Sequence, residues 1–171
     1  MDSIFVRRSV RRYQARPVEA EKLDRLLRAA MQAPSAANQQ PWEFLVVERR
    51  ESLDRLSRMS PYAGMLTTAP LAVVLLCDRD RLEFAGNWQQ DMSAAAENLL
   101  LEAVELGLGG VWLGVAPLPE REQAIRAQFS LPEHILPFAV LSLGYPQDDN
   151  ANHFTDRYDA GRIHRETYSA G

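Results

Sequence analysis

A cluster of arginine side chains near the start of the chain is the first group that could do chemistry. The stretch RRSVRRYQ, at residues 7–14, belongs to a first sixteen residues that hold five arginines and one acid, although the whole chain has a net charge of −4. Guanidinium groups bind phosphate through charge-assisted, often bidentate hydrogen bonds. Because this basic patch is small, it favours a small anion over a nucleic acid. A solvated surface run is the alternative.

A second unusual stretch, APSAANQQPW, follows at residues 33–42. Its small side chains let the backbone approach a flat ligand closely, and the amide of Asn38 both donates and accepts hydrogen bonds. The alternative is a plain connection between a helix and a strand, in which Pro34 stops the helix and Pro41 precedes the strand. Taken together, the two stretches favour a phosphorylated, flat cofactor.

Other common chemistries lack their sequence patterns. There is no G-x-x-x-x-G-K-[ST] phosphate loop, and GLGGVWLG has Trp112 where the dinucleotide-binding pattern needs its third glycine. The three histidines are not spaced as a metal-ligand set, and Glu97 and Glu102 do not share one helix face. The sequence therefore predicts no metal and no catalytic side chain, which suits chemistry carried by an organic cofactor.

Composition sets the broad class of the protein. Of the 171 residues, 46% are hydrophobic and 25% charged, which is typical of a soluble globular protein, and the length fits one domain over residues 1–171. No apolar run approaches the roughly 20 residues that a membrane span needs. The single cysteine, Cys77, lies in the apolar run LAVVLLCD and is predicted to be a buried thiol. We expect a cytoplasmic protein with neither nucleic-acid nor membrane partners.

Alternating helical and strand-like patterns predict the secondary structure. Helices are predicted at 19–33, 51–59, 91–109 and 119–129, and strands at 43–48, 70–78, 110–115 and 136–146. The helix at 91–109, ended by Gly107 and Gly109, is apolar nearly all round, so we expect it to be buried on all faces with the help of a second subunit. The polar tail from residue 147 cannot build a core of its own, and its scattered aromatic residues favour a position across a partner subunit.

Five segments in this order resemble the FMN-dependent nitroreductase family, in particular its small members. They are FVRRSVRRYQARPV, APSAANQQPWEFLVV, AAAENLLLEAVELGLGGVWLG, PFAVLSLGYP and DRYDAGRIHRE. The resemblance covers nearly the whole chain. It implies an α+β fold with three α/β/α layers around a central mixed, mostly antiparallel sheet. It also implies a homodimer in which the C-terminal arm, residues 147–171, extends onto the partner.

The resemblance also implies a set of residues that bind FMN. The phosphate and ribityl chain would be held by Arg7, Arg8, Ser9 and Arg11. The flavin ring would be covered by a loop of the partner subunit, with Pro34, Ser35, Ala36 and Asn38. Backbone amides near the pyrimidine edge would come from Gly109 and Gly110, for which a helix C-cap is the plainer role. Arg157 would add a second contact to the phosphate, with Arg162 as the competing candidate.

The activity implied by the resemblance is hydride transfer from NAD(P)H, through the flavin, to a small electron-poor acceptor such as a nitroaromatic or a quinone, in a ping-pong cycle. The alternatives are another flavin reductase activity on the same scaffold and a flavin-binding storage or sensing protein. Between Asp78 and Asp91 the chain is shorter than in larger members. Three aromatic residues near that segment could line a short lid or serve as ordinary packing: Tyr62, Phe84 and Trp88.

Overall fold

The computed structural model describes residues 3–168. Its helices are α1 (Ser3–Val6), α2 (Ala20–Met31), α3 (Arg50–Leu56), α4 (Trp88–Glu105) and α5 (Pro119–Phe129). Its strands are β1 (Trp42–Val47), β2 (Leu71–Asp78), β3 (Gly109–Gly114) and β4 (Ile135–Gly144). Every predicted helix and strand is present, with ends displaced by four residues or fewer. The short α1 is additional.

The four strands form one sheet in the order β1-β2-β4-β3, and each neighbouring pair is antiparallel. Among the residues that the structure describes, the parallel pairing is confined to an isolated bridge between Ser9 and Gly110. The expected central, mostly antiparallel sheet is therefore confirmed. Its mixed character within one chain comes from the N-terminal segment that follows α1.

Both faces of the sheet are covered, which gives three layers. Along β2 the odd-numbered residues pack with α2 and α4, and the even-numbered residues pack with α3 and α5. The odd set is Leu71, Val73, Leu75 and Cys77, and the even set is Ala72, Val74 and Leu76. Because side chains alternate across a strand, a strand covered on both faces has a continuous aliphatic sequence, as β2 does. Cys77 is fully buried as predicted, and burial raises the pKa of its thiol to about 12.

Helix α4 is less completely covered than its sequence suggests. Its buried residues face the sheet and α2, but Ala94 and Leu101 are half-exposed and Glu97 is exposed. The prediction that all faces are buried is therefore not met within one chain. Gly107 follows the helix with φ +73°, the left-handed conformation that glycine adopts freely. Gly109 was also expected to end the helix, and here the prediction is wrong, because Gly109 is already paired in β3.

The C-terminal tail lies mostly on the surface of the single chain. From residue 147 to residue 168 the chain is mostly exposed, with Ala151 and Asn152 among its few partly buried residues. Residues 169–171 of the predicted arm lie outside the described residues. In the part of the chain from 3 to 168, none of the helices has both the length and the apolar character to cross a membrane.

A polar network fastens the start of α2 to the ends of β4 and α4. The Tyr145 hydroxyl donates to Glu19 Oε2 at 2.6 Å, and Arg16 Nη2 donates to Glu19 Oε1 at 2.6 Å. Lys22 Nζ lies 2.8 Å from the Tyr145 hydroxyl oxygen and 2.6 Å from the Leu106 carbonyl oxygen. The hydrogen bond from Tyr145, with that from Arg16, lowers the pKa of Glu19 from 4.5 to about 2.

We expect Glu19→Gln to lower the Tm of the protein by roughly 2–5 °C at pH 7, because the charge-assisted hydrogen bonds to the carboxylate are lost. A carboxyl group whose pKa is lowered on folding stabilises the native state above its unfolded pKa. The difference from the wild type should therefore be constant above about pH 5 and shrink as the pH falls from 4.5 towards 2. Denaturation across this pH range, with the exposed Glu21→Gln as control, measures it. A difference that is independent of pH would contradict the role of the Glu19 carboxylate.

Candidate functional site

The arginine-rich segment after α1 is pinned beside the start of β3. The Val10 amide donates to the Gly110 carbonyl at 3.0 Å, next to the bridge between Ser9 and Gly110. The Tyr13 hydroxyl lies 2.7 Å from the Val10 carbonyl oxygen and 3.0 Å from that of Ser142. Burial raises the pKa of Tyr13, so the phenol stays protonated and keeps its donor. These contacts fix the backbone of the segment that carries the arginines.

Gly109 and Gly110 have no side chains that would collide with their close neighbours, and at Gly109 that neighbour is Val10 of the N-terminal segment. A Cβ at Gly109 would lie 2.5 Å from Val10 Cγ2, and one at Gly110 would lie 2.8 Å from Leu143 Cδ2. Both glycines are buried, and protein atoms fill the space beside them. Gly109 therefore lets Val10 of the N-terminal segment pack against β3, whereas Gly110 leaves room for the side chains of Leu143 and Leu100. Their contribution of amides to a cofactor stays a prediction.

Arg8 carries the most unusual side chain of the segment. Within residues 3–168, its Nε and Nη2 atoms are inaccessible to solvent and have no hydrogen-bond partner. Its Nη1 donates to the Arg7 carbonyl at 2.6 Å. Desolvation, together with the nearby charges of Arg157 and Arg7, lowers the pKa of Arg8. A desolvated cation beside two other cations is costly without an anion, so this cluster has the donors and the charge of a phosphate site.

The neighbouring arginines differ in whether their side chains already pair with a carboxylate. Arg7 Nε lies 3.2 Å from a carboxylate oxygen of Glu97 on α4, so part of its charge is balanced. Arg162 is highly exposed, and its Nε is paired with Asp159 at 3.0 Å. Arg157, in contrast, lies close enough to Arg8 to affect its pKa. The geometry therefore favours Arg157 over Arg162 as the tail residue of the anion site, which stays a prediction.

Asn152 is a site residue that the sequence did not indicate. Its Oδ1 accepts the backbone N–H of Arg8 at 3.2 Å, and its Nδ2 donates to the Leu108 carbonyl at 3.0 Å. The side chain thus joins the start of the tail to the arginine segment and to the turn between α4 and β3. An asparagine in a polar tail gives no periodic signal, so its role emerges only from the tertiary contacts.

Arg11 and Ser9 lie at the edges of open cavities. A cavity of about 530 Å³ is lined by Arg11, Tyr62, Trp112 and Arg121, among others. A second, of about 370 Å³, is lined by Ser9, Arg11 and Gln147, with Val10, Arg12, Asp148 and Ala151. Both sizes are in the range of small-molecule sites. Arg11 Nη1 donates to the Ser9 carbonyl at 3.2 Å, and the side chain is exposed and able to reorient towards a ligand.

The loop at residues 33–42 has a defined backbone conformation that internal hydrogen bonds stabilise. Three of its non-glycine residues have positive φ: Ala37 at 46°, Asn38 at 58° and Gln40 at 45°. Ser35 Oγ accepts the Gln40 N–H at 3.0 Å, and Asn38 Oδ1 accepts from Gln40 Nε2 at 3.0 Å. Left-handed residues other than glycine cost energy, so this shape persists because surrounding contacts hold it.

Those contacts come from a buried carboxylate near the start of α4. Asp91 is 4% exposed, and its Oδ1 accepts the Ala36 N–H at 2.9 Å. Its Oδ2 accepts from Gln39 Nε2 at 2.5 Å. Neither Asp91 nor Gln39 was singled out from the sequence. Acidic residues are common in the first turn of a helix because they interact favourably with the helix dipole. The sequence therefore gives no sign that Asp91 also holds the loop.

The loop and the arginine segment are anchored to different sides of α4. The loop is held by Asp91, and the arginine segment is held through Arg7 by Glu97. Six residues of helix separate these anchors by about 9 Å along the axis and about 240° around it. No hydrogen bond or ion pair within residues 3–168 joins Pro34, Ser35, Ala36 or Asn38 to the arginine segment. One chain therefore brings together Arg7, Arg8 and Arg157, but not the loop.

A family model described as the nitroreductase family matches residues 4–63 and 58–145. The chain belongs to the nitroreductase family. A curated relative from Methanothermobacter thermautotrophicus, named "Putative NADH dehydrogenase/NAD(P)H nitroreductase", is 45% identical over 98% of this chain and 87% of its own length. The order of the five sequence segments had indicated the same family.

Solved structures of relatives show the same fold. A structure from Clostridium acetobutylicum is 55% identical, with a TM-score of 0.94 over 98% of this chain and 100% of that one. An FMN-dependent nitroreductase from Clostridium difficile R20291 is 32% identical, with a TM-score of 0.89 over 98% and 99% of the two chains. The nitroreductase fold implied by the sequence resemblance is thereby confirmed.

Of the three aromatic residues considered for a lid in this family member, one is clearly packing. The Trp88 ring meets the Phe138 ring edge-on, with centroids 5.7 Å apart. Phe84 is 47% exposed and Tyr62 is 74% exposed. The latter two are thus available to contact a ligand.

A further polar cluster lies at the end of β2, where ligand atoms of Asp78, Asp80 and His134 lie within 4.8 Å of one another. Histidine spacing alone did not indicate this grouping. Asp78 is already engaged, because its Oδ1 accepts the Asp80 N–H at 3.0 Å and its Oδ2 lies 3.1 Å from Arg81 Nε. These contacts account for the cluster as a cap of the turn at 79–81.

We expect inorganic phosphate to stabilise the flavin-free protein through Arg8. At a concentration about tenfold above its Kd, binding to the native state alone adds about 1.4 kcal/mol, or roughly 3–5 °C in Tm. Arg8→Met should raise the Tm in the absence of anions, because it removes an unpaired desolvated charge, and should abolish the gain from phosphate. Thermal melts with and without phosphate test this, with Arg162→Met as the control. An equal phosphate effect in the wild type and in Arg8→Met would contradict the assignment.

Proposed function

We propose that this protein is an FMN-dependent oxidoreductase that transfers hydride from NAD(P)H to a small electron-poor acceptor, such as a nitroaromatic or a quinone. The observation that carries the proposal is the desolvated guanidinium of Arg8, which lies beside Arg7 and Arg157 and has two nitrogens without a hydrogen-bond partner in the described part of the chain, residues 3–168. The terminal phosphate of FMN supplies the missing negative charge. Membership of the nitroreductase family, and the FMN dependence of the relative from Clostridium difficile, support the same cofactor.

The residues present fit the phosphate end of FMN. Within residues 3–168, Arg8 and Arg157 form no ion pair with a carboxylate, and Arg7 adds a third guanidinium that is partly neutralised by Glu97. The Ser9 hydroxyl adds a neutral donor from an exposed position next to the bridge with Gly110. Arg11, at the edge of both cavities, is placed to reach the ribityl chain or the ring.

Bound FMN would supply the redox chemistry, accepting hydride from NAD(P)H and passing it to the acceptor in alternation. The protein then needs no acid or base of its own for the first half of the cycle. Its tasks are to fix the cofactor by its anionic end, to leave one ring face open to two successive substrates and to exclude water. A rigid covering loop and a pinned arginine segment serve those tasks, and backbone amides stabilise negative charge on the ring.

We propose further that two copies of the chain form the complete site. In one copy the loop with Pro34, Ser35, Ala36 and Asn38 is anchored about 240° around α4 from the arginine segment. A second copy, packed on the half-exposed face of α4, would bring its own loop to the arginines of the first. The exposed tail supports the same arrangement, because Phe154, Tyr158 and Ile163 are all more than half exposed in one chain.

The first test is the colour of the purified protein. Arg8→Ala combined with Arg11→Ala should fold but retain less than about a tenth of the FMN bound by the wild type, because the phosphate loses its charged partners. Absorbance after purification and after loading with FMN measures the flavin content, with Arg12→Ala as a matched control. Stoichiometric FMN in the double variant would contradict the phosphate role of these arginines.

The second test separates an enzyme from a storage protein and a shared site from a single-chain site. Anaerobic NADH or NADPH should bleach the bound flavin, and an added quinone should restore its absorbance. In solution the protein should have about twice the 19.3 kDa mass of one chain. Flavin that stays oxidised under excess NADH and NADPH would favour storage. A monomer that binds FMN with full affinity would contradict the shared site.

A further inference from the structure

The side chain of Gln39 uses its entire hydrogen-bonding capacity on two other segments. Its Nε2 donates to Asp91 Oδ2 at 2.5 Å and to the Phe84 carbonyl at 3.4 Å. Its Oε1 accepts the backbone N–H of Glu83 at 3.0 Å and that of Phe84 at 2.9 Å. An amide side chain has two N–H donors and two acceptor positions, so all four are occupied. A partly exposed glutamine is seldom so fully engaged, because water competes for its amide.

These hydrogen bonds hold the loop at 33–42 and the segment at 83–84 in a fixed position relative to each other. Asp91 is buried in α4 and holds Ala36 and Gln39 together. Gln39 in turn holds Phe84 by both its N–H and its carbonyl oxygen. The backbone position of Phe84 is therefore fixed relative to the loop.

The Phe84 ring itself is left available. It is 47% exposed, and within residues 3–168 it has no aromatic stacking partner, unlike Trp88, which packs on Phe138. Because these hydrogen bonds engage only the backbone of Phe84, the exposed part of its ring is open to a ligand. A phenyl ring held in this way can stack on a flat, electron-poor ring with a preferred offset geometry.

We propose that Phe84 forms an aromatic wall of the acceptor site and that Gln39 is the positioning residue that fixes this wall relative to the loop over the flavin. The assignment rests on the proposed function, in which that loop covers the ring. Because a wall that stacks on its ligand gains more from a larger flat ligand, Phe84 gives the enzyme a preference for two-ring acceptors over one-ring acceptors. Gln39 touches no substrate and acts only through Phe84.

Hydrogen exchange tests the positioning role without using activity. Gln39→Met keeps the length of the side chain but removes the acceptor for the N–H groups of Glu83 and Phe84. In the FMN-loaded protein, these two amides should exchange at least about tenfold faster in Gln39→Met than in the wild type. Gln32→Met, at an exposed glutamine just beyond α2, is the matched control and should leave both rates unchanged. Unchanged exchange in Gln39→Met would overturn the positioning role.

Acceptor selectivity tests the wall. The quantity is the ratio of kcat/KM for a two-ring naphthoquinone to that for a one-ring benzoquinone. Phe84→Ala should lower this ratio about five- to tenfold, which is the range of an aromatic stacking contact. Because the acceptor reacts with flavin that NADH has already reduced, kcat/KM for the acceptor does not include the rate of flavin reduction, and the ratio isolates the contact with the acceptor. Gln39→Met should lower the ratio in the same direction, and the double variant should match Phe84→Ala alone, because two residues that act through one contact are not additive.

The outcomes separate this assignment from the proposed function. A wild type that binds no FMN, or whose flavin NADH does not reduce, would overturn both. An active wild type whose selectivity ratio is unchanged or increased in Phe84→Ala would overturn the wall alone. Additive effects in the double variant would show that Gln39 acts by another route and would overturn its role.

Discussion

A guanidinium group that is withdrawn from water and has no anionic partner within residues 3–168 is the constraint on which the proposed site depends. The charge of Arg8 is desolvated, and the two nearest charges that affect it are also positive. Folding alone does nothing to relieve this repulsion. Several otherwise ordinary features hold the arginine in place against it: the hydrogen bond from the Arg8 amide to Asn152, the bridge from Ser9 to Gly110 and the buried hydroxyl of Tyr13. In the proposed function, a bound dianion would offset the cost of this desolvated charge, and the offset would contribute to binding.

Helix α4 is the element that relates this anion site to the rest of the molecule. Its first turns carry Asp91, which shapes the loop at 33–42, and its middle carries Glu97, which pairs with Arg7. Since the two anchors face different directions, the loop and the arginine segment of one chain lie apart. The geometry of the helix thus supports the proposal that a second copy completes the site.

Much of this could be predicted from the sequence, for identifiable reasons. Periodicity located every strand and long helix, because sheet and helix faces in this fold are continuously apolar, as along β2. The arginine segment was evident from charge and the loop from its small residues. What could not be predicted depends on distant parts of the chain. Asn152, Gln39 and Asp91 are polar residues at unremarkable positions, and their partners lie 44 to 144 residues away. Gly109 was predicted to end the helix. A glycine is needed at this position because Val10 packs directly against it, and no local sequence pattern reveals that contact.

The absence of a side chain at Gly109 couples two regions that are a hundred residues apart in the sequence. Val10 fills the space where a methyl group would stand, and Val10 is two residues from the arginine on which the charge balance depends. Any side chain at this strand position would therefore clash with Val10 first, and the displacement of Val10 would then shift the backbone that carries Arg8.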